Sequence, residues 1–173
     1  MLAVMALAAP AMQGQVFSTV EQVLARRFPG RAIDRKTLFL SEAERADIEQ
    51  RAKTNVESRI ITYYVPTGSA GPEAYVFFDT HTVRTMPETF MVVIRPDSTV
   101  GAVEILAFHE PSDYLPPPRW LALLEGWHLS DDFWIKRGIP NITGATLSAR
   151  AINEGVRRFL SVFISAVPKE ERR

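Results

Sequence analysis

Side chains able to do chemistry cluster most densely in Ile139–Ser148, which reads IPNITGATLS. Three hydroxyls, those of Thr143, Thr146 and Ser148, surround Gly144 and Ala145 just before a long run of helical spacing. The first backbone N–H groups of a helix have no intrahelical partner. The macrodipole adds partial positive charge at that end, so the position suits a phosphate. Gly144 allows a tight turn and a close approach of a ligand to the backbone. The same residues also describe an ordinary threonine-capped helix after a glycine turn. A second set, Asp79, His81, His109 and Glu110, has metal-ligating side chains. The chain holds only three histidines, at 81, 109 and 128, without HExxH spacing, so His81 and His109 read better as hydrogen-bonded residues at strand ends. Arg84, in HTVRTMPE, is a candidate anion partner, with a surface arginine at a strand edge as the plainer alternative. No GxSxG elbow supports a serine nucleophile, and no GxGxxG turn supports a Rossmann site. No catalytic residue and no metal ligand is assigned.

Composition narrows the classes further. At 173 residues the chain suggests one domain. Twenty Lys+Arg balance twenty Asp+Glu, for a formal net charge of zero. A nucleic-acid binder normally carries a basic excess, so no nucleic-acid partner is expected. There is no cysteine, which removes disulfides, thiolate metal sites, iron–sulfur clusters and a cysteine nucleophile. If the protein carries electrons, an organic cofactor or a non-thiolate metal must hold them.

The elements that must position Ile139–Ser148 follow from periodicity. Residues 1–12, MLAVMALAAPAM, are apolar and uncharged, too short to span a bilayer and similar to the apolar region of a secretory signal. They predict export to an extracytoplasmic space, periplasmic or membrane-associated, with an apolar first helix packed on the domain as the alternative. A single domain is expected over 16–167. Within it Val16–Phe28 has helical spacing, ended by Pro29-Gly30. Thr37–Leu40 is a short strand, and Ser41 with Glu44 forms a capping box for a helix running to about Lys53. Arg59–Val65 and Ala74–Phe78 read as a hairpin with a longer loop. Phe90–Ile94 and Val100–Phe108 flank a turn at Pro96-Asp97-Ser98. Pro111–Pro118 is loop, Trp120–Trp127 a short helix, and Leu147–Val167 a long terminal helix. Arg157-Arg158 reads as a solvated face and residues 168–173 as a solvated tail. The order predicts an α+β fold, with a mostly antiparallel sheet of four or more strands packed against helices.

Thr143, Gly144, Ala145, Thr146, Leu147 and Ser148 fill every position of a (Ser/Thr)-Gly-Ala-Thr-x-(Ser/Thr) pattern. This resembles the flavinylation motif of the FMN-binding domain family, which includes the C subunit of the sodium-translocating NADH:quinone oxidoreductase and the G subunit of Rnf-type complexes. Upstream, VGAVEILAFHEP at Val100–Pro111 resembles the family's strand and following Glu-containing loop, where Glu110 and Tyr114 stand. The likeness covers roughly Tyr75 to Val162. It implies FMN as cofactor, joined through its phosphate to Thr146 by a flavin transferase that uses FAD and magnesium. It further implies redox partner proteins or a membrane electron-transport complex, and a redox carrier more than a stand-alone enzyme. The implied cofactor-binding residues are Thr146, Thr143, Gly144, Ala145, Leu147, Ser148, Glu110 and Tyr114. Tyr114, Trp120, Trp127 and Trp134 are candidate walls for a flavin ring, or plain core packing. One position departs from the pattern: many members carry aspartate six places before the modified threonine, where this chain has Pro140, followed by Asn141. That departure leaves a non-flavinylated ligand-binding or structural α+β module as the alternative. A metal-assisted hydrolase using His81, His109 and Glu110 is a third reading.

Overall fold

The computed structural model describes residues 14–172. The expected signal segment at 1–12 lies outside them, as does Arg173. The core of the fold is an antiparallel sheet in the order β1 (Gln15–Val16), β7 (Val100–Phe108), β6 (Pro87–Ile94), β5 (Tyr75–Thr82), β3 (Ile60–Gly68), β2 (Ala32–Phe39), with β4 (Gly71–Pro72) hooked onto β3. The α+β expectation with a long helix near the end holds, and among the described residues the sheet has seven strands.

Strand alternation divides the core into two layers. Tyr63, Phe77, Phe90 and Val92 point to one face, where they meet Phe159 and Phe163 of α4 (Thr146–Ser165) and Ile48 of α2 (Glu42–Ala52). Val76, Met91, Val93 and Leu106 point to the other face and meet Val23 and Leu24 of α1 (Val20–Arg27). Phe77 stacks on Phe159 at 5.0 Å between ring centroids, and Tyr75 tilts against Phe163 at 4.8 Å. These aromatic contacts fix the register of α4 on the sheet, and so fix where its first turn lies.

Local signals explain most boundaries. The Ser41–Glu44 capping box is present, and the helix it starts ends at Lys53 in the left-handed region. The first helix is shorter than expected. A second capping box, Thr19 with Gln22, starts it at Val20. Val16, expected on the helical stripe, instead pairs with Ala107 in β1. The expected hairpin strands are longer in the structure and share only two residue pairs, Tyr63↔Phe77 and Tyr64↔Val76. The helix expected over Trp120–Trp127 shrinks to α3 (Pro118–Leu121) and a 3-10 turn at Ala122–Leu124. Gly126 stops it, with φ of 79° and its N–H donated to the Val100 carbonyl.

Two surface expectations need correction. Arg157 is not solvated; it is 1% exposed. Its guanidinium donates to the carbonyls of Ala52, Ser130 and Phe133 and lies 4.1 Å from the centroid of Trp134. Its neighbour Arg158 pairs with Asp79. The end of the chain is not a free tail either. Lys169–Arg172 forms a 3-10 turn. The Glu171 carboxylate accepts from the Tyr63 hydroxyl at 2.9 Å and pairs with Lys36, and its carbonyl accepts from the Tyr75 hydroxyl.

Candidate functional site

The first turn of α4 is uncapped. Its N-cap residue is Ala145, which has no side chain able to accept from the free N–H groups. Gly144 precedes it with φ of 88°, a conformation side-chain-bearing residues rarely adopt. The Thr146 hydroxyl is exposed; it donates to the Ile142 carbonyl at 3.0 Å and accepts from the Asn141 carboxamide at 3.2 Å. Ser148 is 1% exposed, and its hydroxyl oxygen has no hydrogen-bond partner. A buried orphan of this kind is costly unless something completes it.

A small cavity of about 70 Å³ lies against this turn. Gly144, Ala145, Thr146, Leu147 and Ser148 line one side, and Val83, Arg84 and Tyr114 line the other. The Arg84 guanidinium sits 5.0 Å from the centroid of the Tyr114 ring. The structure therefore brings together Tyr114, Arg84 and five of the six motif residues. Thr143 is exposed and outside the lining.

Glu110 plays a different part from direct contact. One carboxylate oxygen accepts from the backbone N–H groups of Arg84, Thr85 and Met86, at 3.1, 2.7 and 2.9 Å. Those bonds, from Thr85 first and Met86 next, hold its pKa below the usual carboxylate range. The carboxylate thus fixes the β5–β6 turn that carries Arg84 to the cavity.

The tryptophans are packing residues. Trp120 donates its indole N–H to the Pro140 carbonyl at 2.7 Å, which braces the loop ahead of α4. Trp127 stacks on Phe133 at 5.4 Å, and Trp134 lies under Arg157. None of the three lines the cavity; Tyr114 alone of the four expected ring walls does.

The histidines do not converge. His109 packs its ring against Gly14, where a Cβ would collide with it. His81 lies between Asp79 at 3.4 Å and Glu88 at 3.2 Å. Burial alone would lower the His81 pKa, but the bonds to Asp79 and Glu88 outweigh it and push it up to about 9. Glu88 is fully buried, burial raises its pKa, and one of its oxygens has no partner. Among the described residues, no group of three or more His, Asp or Glu side chains is arranged to hold a metal ion. The Asp79–His81–Glu88–Arg158 chain was missed as a unit. The signal was present on β6: Glu88, Phe90, Val92 and Ile94 alternate onto one face, so a carboxylate occupies a core-facing position.

No family model matches the chain, and no curated protein matches it. Among solved structures, the chain is similar to the crystal structure of NqrC from Shewanella oneidensis, at 17% identity and a TM-score of 0.56. The match covers 81% of this chain and 84% of that one. At that identity the likeness defines the fold: this is an NqrC-like α+β architecture.

Proposed function

We propose that this chain is an FMN-binding electron-transfer module whose flavin is held covalently, through its phosphate, on the Thr146 hydroxyl. The observation that carries this reading is the start of α4. An exposed threonine hydroxyl, uncapped N–H groups and the unpartnered, buried Ser148 hydroxyl meet in one cavity with Arg84 opposite. That donor set fits a phosphate: backbone N–H groups at the positive end of a helix dipole, a neutral hydroxyl and a guanidinium. The (Ser/Thr)-Gly-Ala-Thr-x-(Ser/Thr) hexamer at this place, and the fold shared with NqrC, support the same reading.

Bound here, FMN supplies one- or two-electron transfer. The chain's own residues do the rest. Attachment would join the Thr146 oxygen to the FMN phosphorus of FAD in exchange for AMP, with the hydroxyl proton passing to the departing AMP phosphate. Asn141 and the Ile142 carbonyl fix the direction of that oxygen. Gly144 gives the turn that exposes it. Arg84, held by Glu110 through the backbone, balances the phosphate charge. The partners of this reading are a flavin transferase for maturation and a redox protein or membrane electron-transport complex for function. Its place is extracytoplasmic, reached through the apolar segment 1–12. No helix among the described residues is long and apolar enough to cross a membrane.

The test is co-expression with a flavin transferase followed by denaturing electrophoresis. Flavin fluorescence that stays on the denatured band supports attachment. A colourless protein with no retained fluorescence favours the non-flavinylated module, the alternative to which Pro140 points.

A further inference from the structure

Inside the sheet a strand edge lies open. β3 and β5 pair only at Tyr63↔Phe77 and Tyr64↔Val76. Beyond those pairs β3 stays with β2 as far as Ile60↔Phe39, and β5 stays with β6 as far as Thr82↔Pro87. The two strands part there and border a chamber of about 440 Å³. Two hydrogen bonds fix which backbone groups face it. Val83 donates its N–H to the Met86 carbonyl, so by alternation Phe78, Thr80 and Thr82 turn away from β6 and toward the gap. Leu40 donates its N–H to the Arg59 carbonyl, so Ile60 and Thr62 turn away from β2 and toward the same gap. Local side chains take some of these groups. The Ser58 hydroxyl bonds both the N–H and the carbonyl of Ile60, and the Thr80 N–H turns to the Asp79 carboxylate. The N–H and C=O groups of Thr62, Phe78 and Thr82 remain for an added strand.

An unpaired edge is a template for an extended chain. The outer edge at β2 is guarded, because Asp34, Arg35 and Lys36 follow one another along it and charges blunt an edge. The charges of the inner edge do not guard it. Asp79 and His81 are tied under α4 to Arg158 and Glu88.

The surroundings say what the added strand must carry, since its side chains would alternate between two faces. On the α1 face they would meet Ile60, 58% exposed, with its cross-strand partner Phe39, 76% exposed, beside it. α1 packs on Val76 and Met91 and leaves this end of the sheet bare. On the α4 face they would meet Ala151, Phe159 and two carboxylates, Glu57 and Glu154. Arg158 is taken by Asp79, and Arg150, outside the lining, reaches Glu154 only at 3.9 Å. The chamber therefore favours a basic side chain.

We propose that the gap between β3 and β5 receives an extended segment of another polypeptide, apolar residues alternating with lysine or arginine, which pairs with β5 and fills the break in the sheet. The uncharged segment 1–12 of this chain has no basic side chain to meet Glu57 and Glu154. The inference stands apart from the FMN reading and neither needs nor excludes it.

The test titrates the full chain with a fluorescein-labelled heptapeptide of alternating valine and lysine, at about 0.15 M salt so that loose surface attraction is screened. Anisotropy reads binding, and amide exchange by NMR reads its place. Saturable binding is expected, with exchange at Phe78 and Thr82 slowed about tenfold or more. The same peptide with glutamate for lysine is expected to bind at least about tenfold more weakly, and Glu154→Lys to erase that preference. Ala151→Trp fills the chamber from the α4 wall and is expected to weaken binding about tenfold. No binding by the wild type overturns the proposal. So does binding indifferent to peptide charge and to Ala151→Trp, or protection that falls on Ile33–Thr37 of β2 instead. Slow exchange at Phe78 and Thr82 in the chain alone, unchanged by peptide, would mean that this chain fills its own gap and also overturns it.

Discussion

Ser148 and Glu110 do opposite things around the start of α4. Ser148 keeps an unpartnered hydroxyl buried against the cavity, a cost of about 1–3 kcal/mol for an orphaned polar group. Ser148→Ala is therefore expected to raise the thermal midpoint of the apo protein slightly while reducing flavin loading; calorimetry and flavin fluorescence of the same sample check both halves. Glu110 gathers three backbone N–H groups of the Arg84 turn. Glu110→Ala is expected to loosen that turn and lower loading, and amide exchange at Arg84–Met86 should speed up with it. The Asp79–His81–Glu88 group adds a pH dependence. His81 has its pKa raised from the ordinary 6.5 to about 9. A raised folded-state pKa stabilises most below the unfolded value, and that contribution fades as pH rises through the folded value. The stability gap between wild type and His81→Phe is expected to be widest below about pH 6.5 and to narrow toward pH 9; denaturant melts across that window measure it. A gap that widens with rising pH would mean that His81 is held neutral.

At the scale of elements, α4 decides the geometry of the site, because its apolar face sets where its first turn falls. Gly155 lets it approach the sheet. A Cβ there would stand 2.5 Å from the buried Phe90 ring and 3.3 Å from the Asp79 carboxylate. Alanine in place of glycine in a helix gains about 1 kcal/mol of propensity, while overpacking a tight core costs roughly 1–3 kcal/mol. Packing wins, so Gly155→Ala should lower the melting temperature by a few degrees despite the better helix former. How far such elements were legible depended on how local their cause was. The Ser41–Glu44 box and the β-branched strands were readable because their signals lie within a few residues. The start of α1 was misplaced because Val16 and Phe17 extend the apolar stripe of the helix, while the capping hydroxyl of Thr19 and the pairing of Val16 with β7 set the real boundary. The long helix after Gly144 was legible from its apolar stripe. The absence of a side-chain cap at its start emerged only with the fold.

The whole molecule shows what a single sequence hides. Arg157-Arg158 looks like a solvated pair, but three carbonyls from two distant segments and Trp134 converge on the first, and Asp79 takes the second. The last residues look like a free tail because their partners, Tyr63, Tyr75 and Lys36, lie far earlier in the chain, on β3, β5 and β2. Removing residues 168–173 should therefore destabilise the domain by about 1–3 kcal/mol through the orphaned tyrosine hydroxyls, read as a lower denaturation midpoint. The motif Thr143–Ser148 was legible because it is contiguous. The wedge between β3 and β5 was not, because nothing in either strand's composition says where their pairing stops. The proposed function rests on the first of these features, the first turn of α4 as a phosphate anchor. The most direct test of its central claim is the intact mass of the chain after co-expression, as an exported protein, with a flavin transferase, run beside Thr146→Ala. The account predicts a gain equal to FMN less one water in the wild type and none in the variant. An unchanged wild-type mass, or the same gain in Thr146→Ala, would contradict it.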